Sequence, residues 1–179
     1  MKIIAISGRA QHGKDTIANM MKEQLEDEFS DVLITHYADL LKYICKQFLG
    51  WDGNKDEDGR RLLQYTGTDL VRRRAPDFWV DFIISILTFF DGRWEYVIIP
   101  DVRFPNEVEK LRTCGFDVTH IHVERDNFDN GLTPEQNLHA SETQIMNIKP
   151  DFYIHNSGTL DDLNDKITEW IKENIGNGS

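Results

Sequence analysis

Two glycines, a lysine and a threonine are spaced for phosphate chemistry in the segment Gly8 to Thr16, GRAQHGKDT. The pattern G-x-x-x-x-G-K follows the mostly apolar run Lys2–Ser7 and precedes a helical periodicity, the strand–loop–helix setting that a phosphate-binding loop requires. Gly8 and Gly13 let the backbone curl so that successive N–H groups face an anion. Lys14 reaches the outer phosphates, and the following helix adds the positive end of its dipole. Gly8, Arg9, Gly13, Lys14, Asp15 and Thr16 are therefore the candidate nucleoside triphosphate site. Asp15 stands where such loops usually carry Ser or Thr, and Thr16 comes one place later. Asp15 suits a hydrated Mg²⁺ or simply the first helical turn, where a carboxylate is favourable.

Positive charge is crowded elsewhere too. Arg60, Arg61, Arg72, Arg73 and Arg74 are half of the ten arginines in the chain. Their planar donors suit a second anion beside the loop, or else a solvated face pairing with Asp52, Asp56, Glu57 and Asp58. The run Val97 to Phe104 is a buried strand ending in Asp101-x-Arg103, so both side chains emerge at the carboxyl edge of a parallel sheet. Asp101 suits Mg²⁺ orientation or general-base work, and Arg103 a clamp on an acceptor; a plain Asp–Arg pair is the structural alternative. Arg125 opens a long irregular stretch to Ala140 and suits a lid arginine that neutralises a transferring phosphoryl group. Ser141 with Gln144 reads as a capping box. His120 and His122 share a strand face, and packing suits them better than zinc.

Alternating apolar runs and helical patterns predict a parallel α/β sheet. Strands are expected at Lys2–Ser7, Val32–Tyr37, Tyr96–Pro100, Asp117–Val123 and Asp151–His155. Helices are expected at Lys14–Phe29, Leu40–Leu49, Arg60–Arg73, Phe78–Phe90, Asn106–Cys114, Glu142–Ile148 and Leu160–Asn174, the last capped by Thr159. Trp51 to Gly59 reads as a mobile loop, and Gly176 to Ser179 as a frayed tail. The 179 residues suit one domain, and the net charge of −11 argues against nucleic-acid polymers and anionic membranes as partners. No run is long enough to cross a bilayer, and the N-terminus enters a core strand directly, so a cytoplasmic protein is expected. Cys45 and Cys114 are expected to be reduced, buried thiols.

Taken together, the motifs resemble the phage-type deoxynucleoside monophosphate kinases, relatives of the adenylate-kinase-like P-loop enzymes. The resemblance rests on GRAQHGKDT, ADLLK at Ala38 to Lys42, RRLLQYTGTDL at Arg60 to Leu70, IIPDVRFPNE at Ile98 to Glu107 and HNSGTLDDL at His155 to Leu163. It implies a three-layer P-loop NTPase fold with a five-stranded parallel sheet in a single domain over 1–179. An acceptor-binding helical insertion over 38–92 and a lid over 125–141 go with it. The implied reaction moves the ATP γ-phosphoryl group to a (deoxy)nucleoside 5′-monophosphate, with Mg²⁺. Lys14, Asp101, Arg103 and Arg125 would be catalytic, and Asp15, Thr16 and Asp101 would manage the metal. Asp39, Lys42, Arg61, Gln64, Arg72 and Arg103 would hold the acceptor, and Asn156 to Gly158 would receive the donor adenine. A monomer or a homodimer is compatible with this. The competing readings are a kinase for another phosphorylated metabolite, as animal-type phosphomevalonate kinases share the GKD loop, a kinase for hydroxyl acceptors with Asp101 or Asp39 as base, and a non-catalytic ATP-driven switch.

Overall fold

Ile3, Ile4, Ala5 and Ile6 are all completely buried, which only a strand covered on both faces can achieve. That strand, β1 (Lys2–Ser7), is the centre of a five-stranded sheet in the order β2-β3-β1-β4-β5, with every pairing parallel. The other strands are β2 (Val32–Ile34), β3 (Tyr96–Val102), β4 (Asp117–Glu124) and β5 (Phe152–His155). The computed structural model describes residues 1–26, 30–126 and 128–175. Ile4 and Ile6 face α1 (Lys14–Leu25) and α8 (Leu160–Asn174) through Ile17, Met21, Leu163 and Ile167. Ile3 and Ala5 face the opposite layer, where α4 (Phe78–Phe89) and α5 (Pro105–Thr113) contribute Trp79, Ile83, Leu87, Val108 and Leu111. Each such aliphatic side chain contributes about 1.5–3 kcal/mol on burial. The three layers expected from the sequence are therefore present.

Several boundaries move for local reasons. β2 stops at Ile34 rather than Tyr37, because the His36 amide turns to the Asp39 carboxylate and the Tyr37 amide to Asp101. β3 runs past Pro100 to Val102, and the register against β1 shifts between Ala5 and Ser7 where the proline lacks a donor. α1 ends at Leu25, short of the expected Phe29, because Glu26 turns to an extended conformation; Asp27 to Phe29 lie outside the described residues, as do Gly176 to Ser179. Between β2 and β3 come α2 (Ala38–Phe48), α3 (Glu57–Gln64) and a π-helical segment (Tyr65–Arg72), so one expected helix is two differently wound pieces. The wider turn accompanies close packing. A Cβ on Gly67 would stand 2.7 Å from Leu41 Cδ2, and the Gly67 carbonyl accepts from Trp79 Nε1 at 3.0 Å.

The stretch expected to be a mobile loop contains an anchor. Trp51 is buried and donates to the Asn54 carbonyl at 2.8 Å, while Gly59 already belongs to α3, whose N-cap is Asp56. After β4 the chain forms α6 (Pro134–Leu138), α7 (Ala140–Thr143) and a 3₁₀ turn (Gln144–Asn147). The expected capping box of Ser141 and Gln144 is absent. His139 caps α7 by accepting from the Ser141 amide, and a capping box instead opens α6 at Thr133 and Gln136. Thr159 caps α8 as expected, with Asp162 reciprocating. Cys45 is buried, but Cys114 is exposed at the end of α5, contrary to expectation. No helix among the described residues is long and apolar enough to cross a membrane.

Candidate active site

The phosphate loop joins β1 to α1 in a conformation that needs its glycines. Gly8 has φ +149°, and a Cβ there would meet the Val123 carbonyl oxygen at 2.6 Å. Gly13 has φ +93°, and a Cβ would stand 2.4 Å from Asn156 Nδ2, which donates to the His12 carbonyl. Gly13 is also the N-cap of α1 and offers no side-chain cap, so the first-turn amides remain for an anion. Lys14 is only 7% exposed, and its Nζ donates to the Arg9 carbonyl at 2.8 Å. Burial, and then the nearby Arg103 guanidinium, lower the Lys14 ammonium to about 7. Thr16 lies in the first turn of α1, and Arg9 is exposed at the loop tip.

Facing the loop is a cleft of about 430 Å³ whose walls come from α2, α3, the π-helical segment and the carboxyl end of β3. Lys42, Arg60, Gln64, Arg72, Asp101 and Arg103 all line it. Asp39 stands just behind, receiving Lys42 Nζ at 3.0 Å and the His36 amide at 3.2 Å. His36 bridges two carboxylates, 3.1 Å from Asp15 and 3.3 Å from Asp39. Its hydrogen bond to Asp15 raises the imidazole and lowers the acid. Asp101 gives one oxygen to the Tyr37 amide at 3.0 Å and the other to the Ala38 amide at 2.9 Å, which fixes the start of α2. Burial pushes its carboxyl up. The Asp101–Arg103 pair weighed from the sequence is replaced by Arg103 with Glu142, at 2.8 Å.

Three expected residues sit differently. Arg61 points away from the cleft and pairs with Asp58 at 2.7 Å on the surface; Arg60, one residue earlier, takes the wall. Arg72 lines the cleft, but its guanidinium is paired with buried Glu107, bonded to Asn106 and Pro76, and stacked 3.8 Å from the centre of the Phe104 ring. Burial pushes the Glu107 carboxyl up to about 7 against the pull of Arg72. Arg125 does not reach this cleft. It lies 4.0 Å over the Phe128 ring in a neighbouring cavity of about 700 Å³, shared with Arg9, His12 and His122. Asn156 contacts the phosphate loop directly, and Gly158 precedes α8, where a Cβ would meet Asp162 Oδ2 at 2.7 Å. His120 and His122 are buried around Ser7, whose Oγ is 2.8 Å from a ring nitrogen of each. Sequence reasoning passed over His36 and Glu107 as site residues and left Glu142 to a helix start beside Ser141; the only signal of all three is position in space.

The family model for deoxynucleotide monophosphate kinases matches residues 31–167, well over half of the chain. The chain belongs to that family. A deoxynucleotide monophosphate kinase of Enterobacteria phage T4 is 33% identical over 115 residues, which is 63% of this chain but only 45% of the phage protein. A protein of Acanthamoeba polyphaga mimivirus, described as a candidate deoxynucleotide monophosphate kinase, is 26% identical over 193 residues, spanning 96% of each chain. The APS kinase CysC of Mycobacterium tuberculosis, solved with AMPPNP and APS, superposes over 96% of this chain and 97% of its own with a TM-score of 0.52 at 12% identity. That last likeness is one of fold. This member of the deoxynucleotide monophosphate kinase family thus spans under half of the phage T4 protein, and nearly all of the mimivirus one.

Proposed function

We propose that this chain transfers the γ-phosphoryl group of ATP to the phosphate of a (deoxy)nucleoside 5′-monophosphate, giving the diphosphate. One observation carries the reading: Lys14 of the phosphate loop and Arg103 of the β3 end line a single cleft, with Lys42, Arg60 and Gln64 on its far wall. Two anion-binding stations across one cavity suit transfer between two phosphates. The acceptor is already an anionic nucleophile, so alignment and positive charge matter more than a strong base. That favours a monophosphate over a hydroxyl acceptor.

The residues fit ATP. Gly8 and Gly13 leave no room for a side chain, the first turn of α1 has no side-chain cap, and Lys14 stands ready to regain its charge beside a phosphate. They also fit Mg²⁺ in part: the Asp15 side chain is 78% exposed on that first turn and gives only Oδ1 to His36. Mg²⁺ held near Asp15 and Thr16 would neutralise charge on the outer phosphates. Asp101 then holds α2 in place at the edge of the same site, where it suits a water-mediated role toward the metal. Arg103 and Arg60 are the guanidinium groups with donors left for the acceptor phosphate, while Asp39, Lys42 and Gln64 line or back the region that would read sugar and base. Residues 38–92 act as the acceptor-binding insertion and 125–141 as the lid, from which Arg125 approaches the donor. Asn156 to Gly158 receive the adenine. A cytoplasmic setting, where ATP and nucleotides are abundant, fits this chemistry.

The test is incubation with Mg·ATP and each common NMP or dNMP separately, with products followed by ³¹P NMR. Diphosphate from a subset supports the reading and defines base and sugar preference together. Bound ATP with no transfer to any nucleotide would refute it in favour of another phosphorylated acceptor. Arg103→Ala is expected to weaken the acceptor by about tenfold or more while ATP binding changes little. A loss confined to ATP would reverse the assignment of the two phosphates.

A further inference from the structure

Glu142 is 8% exposed and lies in a four-residue helix, and its side chain joins Ala10 and Arg103, each more than thirty residues away in sequence. Its Oε1 lies 2.8 Å from Arg103 Nη1, and its Oε2 accepts from the Ala10 amide of the phosphate loop at 3.2 Å. We propose that Glu142 is a positioning residue that aims Arg103 at the acceptor phosphate and locks it to the phosphate loop. This deepens the kinase reading above and rests on it.

The geometry of the guanidinium carries the argument. The three contacts of Arg103 side-chain donors among the described residues all fall on Nη1: Glu142, the Gly8 carbonyl at 3.4 Å and the Ser141 carbonyl at 3.5 Å. Nε and Nη2, the side-on pair of parallel donors, are left for a ligand, and that pair matches two oxygens of one phosphate. A carboxylate that takes one corner of the guanidinium fixes the plane in which the remaining fork can act. Because the second oxygen of the same carboxylate is held by a backbone amide of the phosphate loop, the acceptor clamp and the donor cradle share one rigid link. Alignment of two bound phosphates is what a phosphoryl-transfer site must supply. A glutamine cannot reproduce this arrangement. It has one acceptor oxygen where Glu142 uses two, so either Arg103 or Ala10 loses its partner.

Each of the common dNMPs and NMPs is titrated, without ATP, into the full-length wild type and into Glu142→Gln and Glu142→Asp by calorimetry. Binding of AMPPNP with Mg²⁺ and thermal midpoints are measured in parallel. Glu142→Gln is expected to weaken the preferred dNMP by about tenfold or more and AMPPNP clearly less, with a thermal midpoint lowered modestly because a buried pair is broken. Glu142→Asp, which keeps the charge but retracts it by one methylene, is expected to fall between, and it carries the test if the glutamine variant does not fold. Unaltered dNMP affinity in both variants overturns the inference. So does tighter dNMP or AMPPNP binding, the sign expected if Glu142 merely competes with phosphate. An equal loss for both ligands with a lowered midpoint overturns it as well, since that is a general structural role. Failure of the wild type to bind any dNMP or NMP would instead defeat the kinase reading.

Discussion

At the scale of single residues, the phosphate loop does most with least. Lys14 is buried, pushed down to about 7 chiefly by that burial and then by Arg103, and held by a loop carbonyl, so an anion arriving in the loop would restore its charge. Lys14→Ala is expected to lower turnover by about 10²–10³-fold with the fold intact by circular dichroism, since the side chain acts on charge developing in transfer. An active variant would remove the basis of the assignment. The loop was legible in the sequence because its chemistry is contiguous: GRAQHGKDT fixes the strand, the turn and the helix start at once. Arg60 and Arg61 show the limit. On a helix, neighbours point about 100° apart, and the phase of α3 is set by Asp56 at its N-cap and by Gly59 packed under Trp51 and Asn54. No periodicity in RRLLQ reports that phase. His36 and Glu142 were illegible for a related reason, as each acquires meaning only from partners brought close by folding.

At the scale of elements, one buried pair organises the acceptor side. Glu107 gives Oε1 to Arg72 and takes the Arg103 and Phe104 amides on Oε2 at 2.7 and 3.0 Å, so it joins the π-helical segment to the turn after β3. Removing one partner of such a pair leaves a buried charge and two amides unanswered. Glu107→Ala is therefore expected to cost about 3–5 kcal/mol, read from urea unfolding. A cost within a few tenths would show that the pair is solvated in practice. The order of the main elements and the number of strands could be read from alternating patterns, as could the Thr159 cap. The winding could not: Arg60–Arg73 reads as a single helix in sequence, yet the chain divides there into α3 and the π-helical segment, where Trp79 and Leu41 crowd Gly67. Likewise, the irregular stretch after Arg125 hid α6, whose five residues are too few to show a period.

At the scale of the whole molecule, the histidines of β4 beside the central strand make stability depend on pH. Ser7 Oγ lies between His120 and His122, and burial lowers His120 to about 4 from the ordinary 6.5. Because the folded chain holds this imidazole neutral, the unfolded chain binds the extra proton, and stability present above pH 6.5 is lost as pH falls toward 4. The loss from this residue amounts to about 2 kcal/mol by pH 5, and His122, lowered in the same direction, adds to it. Urea midpoints at pH 7 and 5 measure the effect, and His120→Asn is expected to shrink the difference; an unchanged pH slope would exclude His120 as its source. The attachment of α2 has a different reach. Its first residues hang from β3 by the two oxygens of Asp101, and the helix extends away from that point for about 16 Å. A carboxylate at the pivot and eleven residues of lever make a mechanical gain: a tilt of about 10° there would swing Phe48 through about 3 Å. A change in what one side chain grips at the sheet edge is thereby converted into a displacement at the far, exposed end of α2.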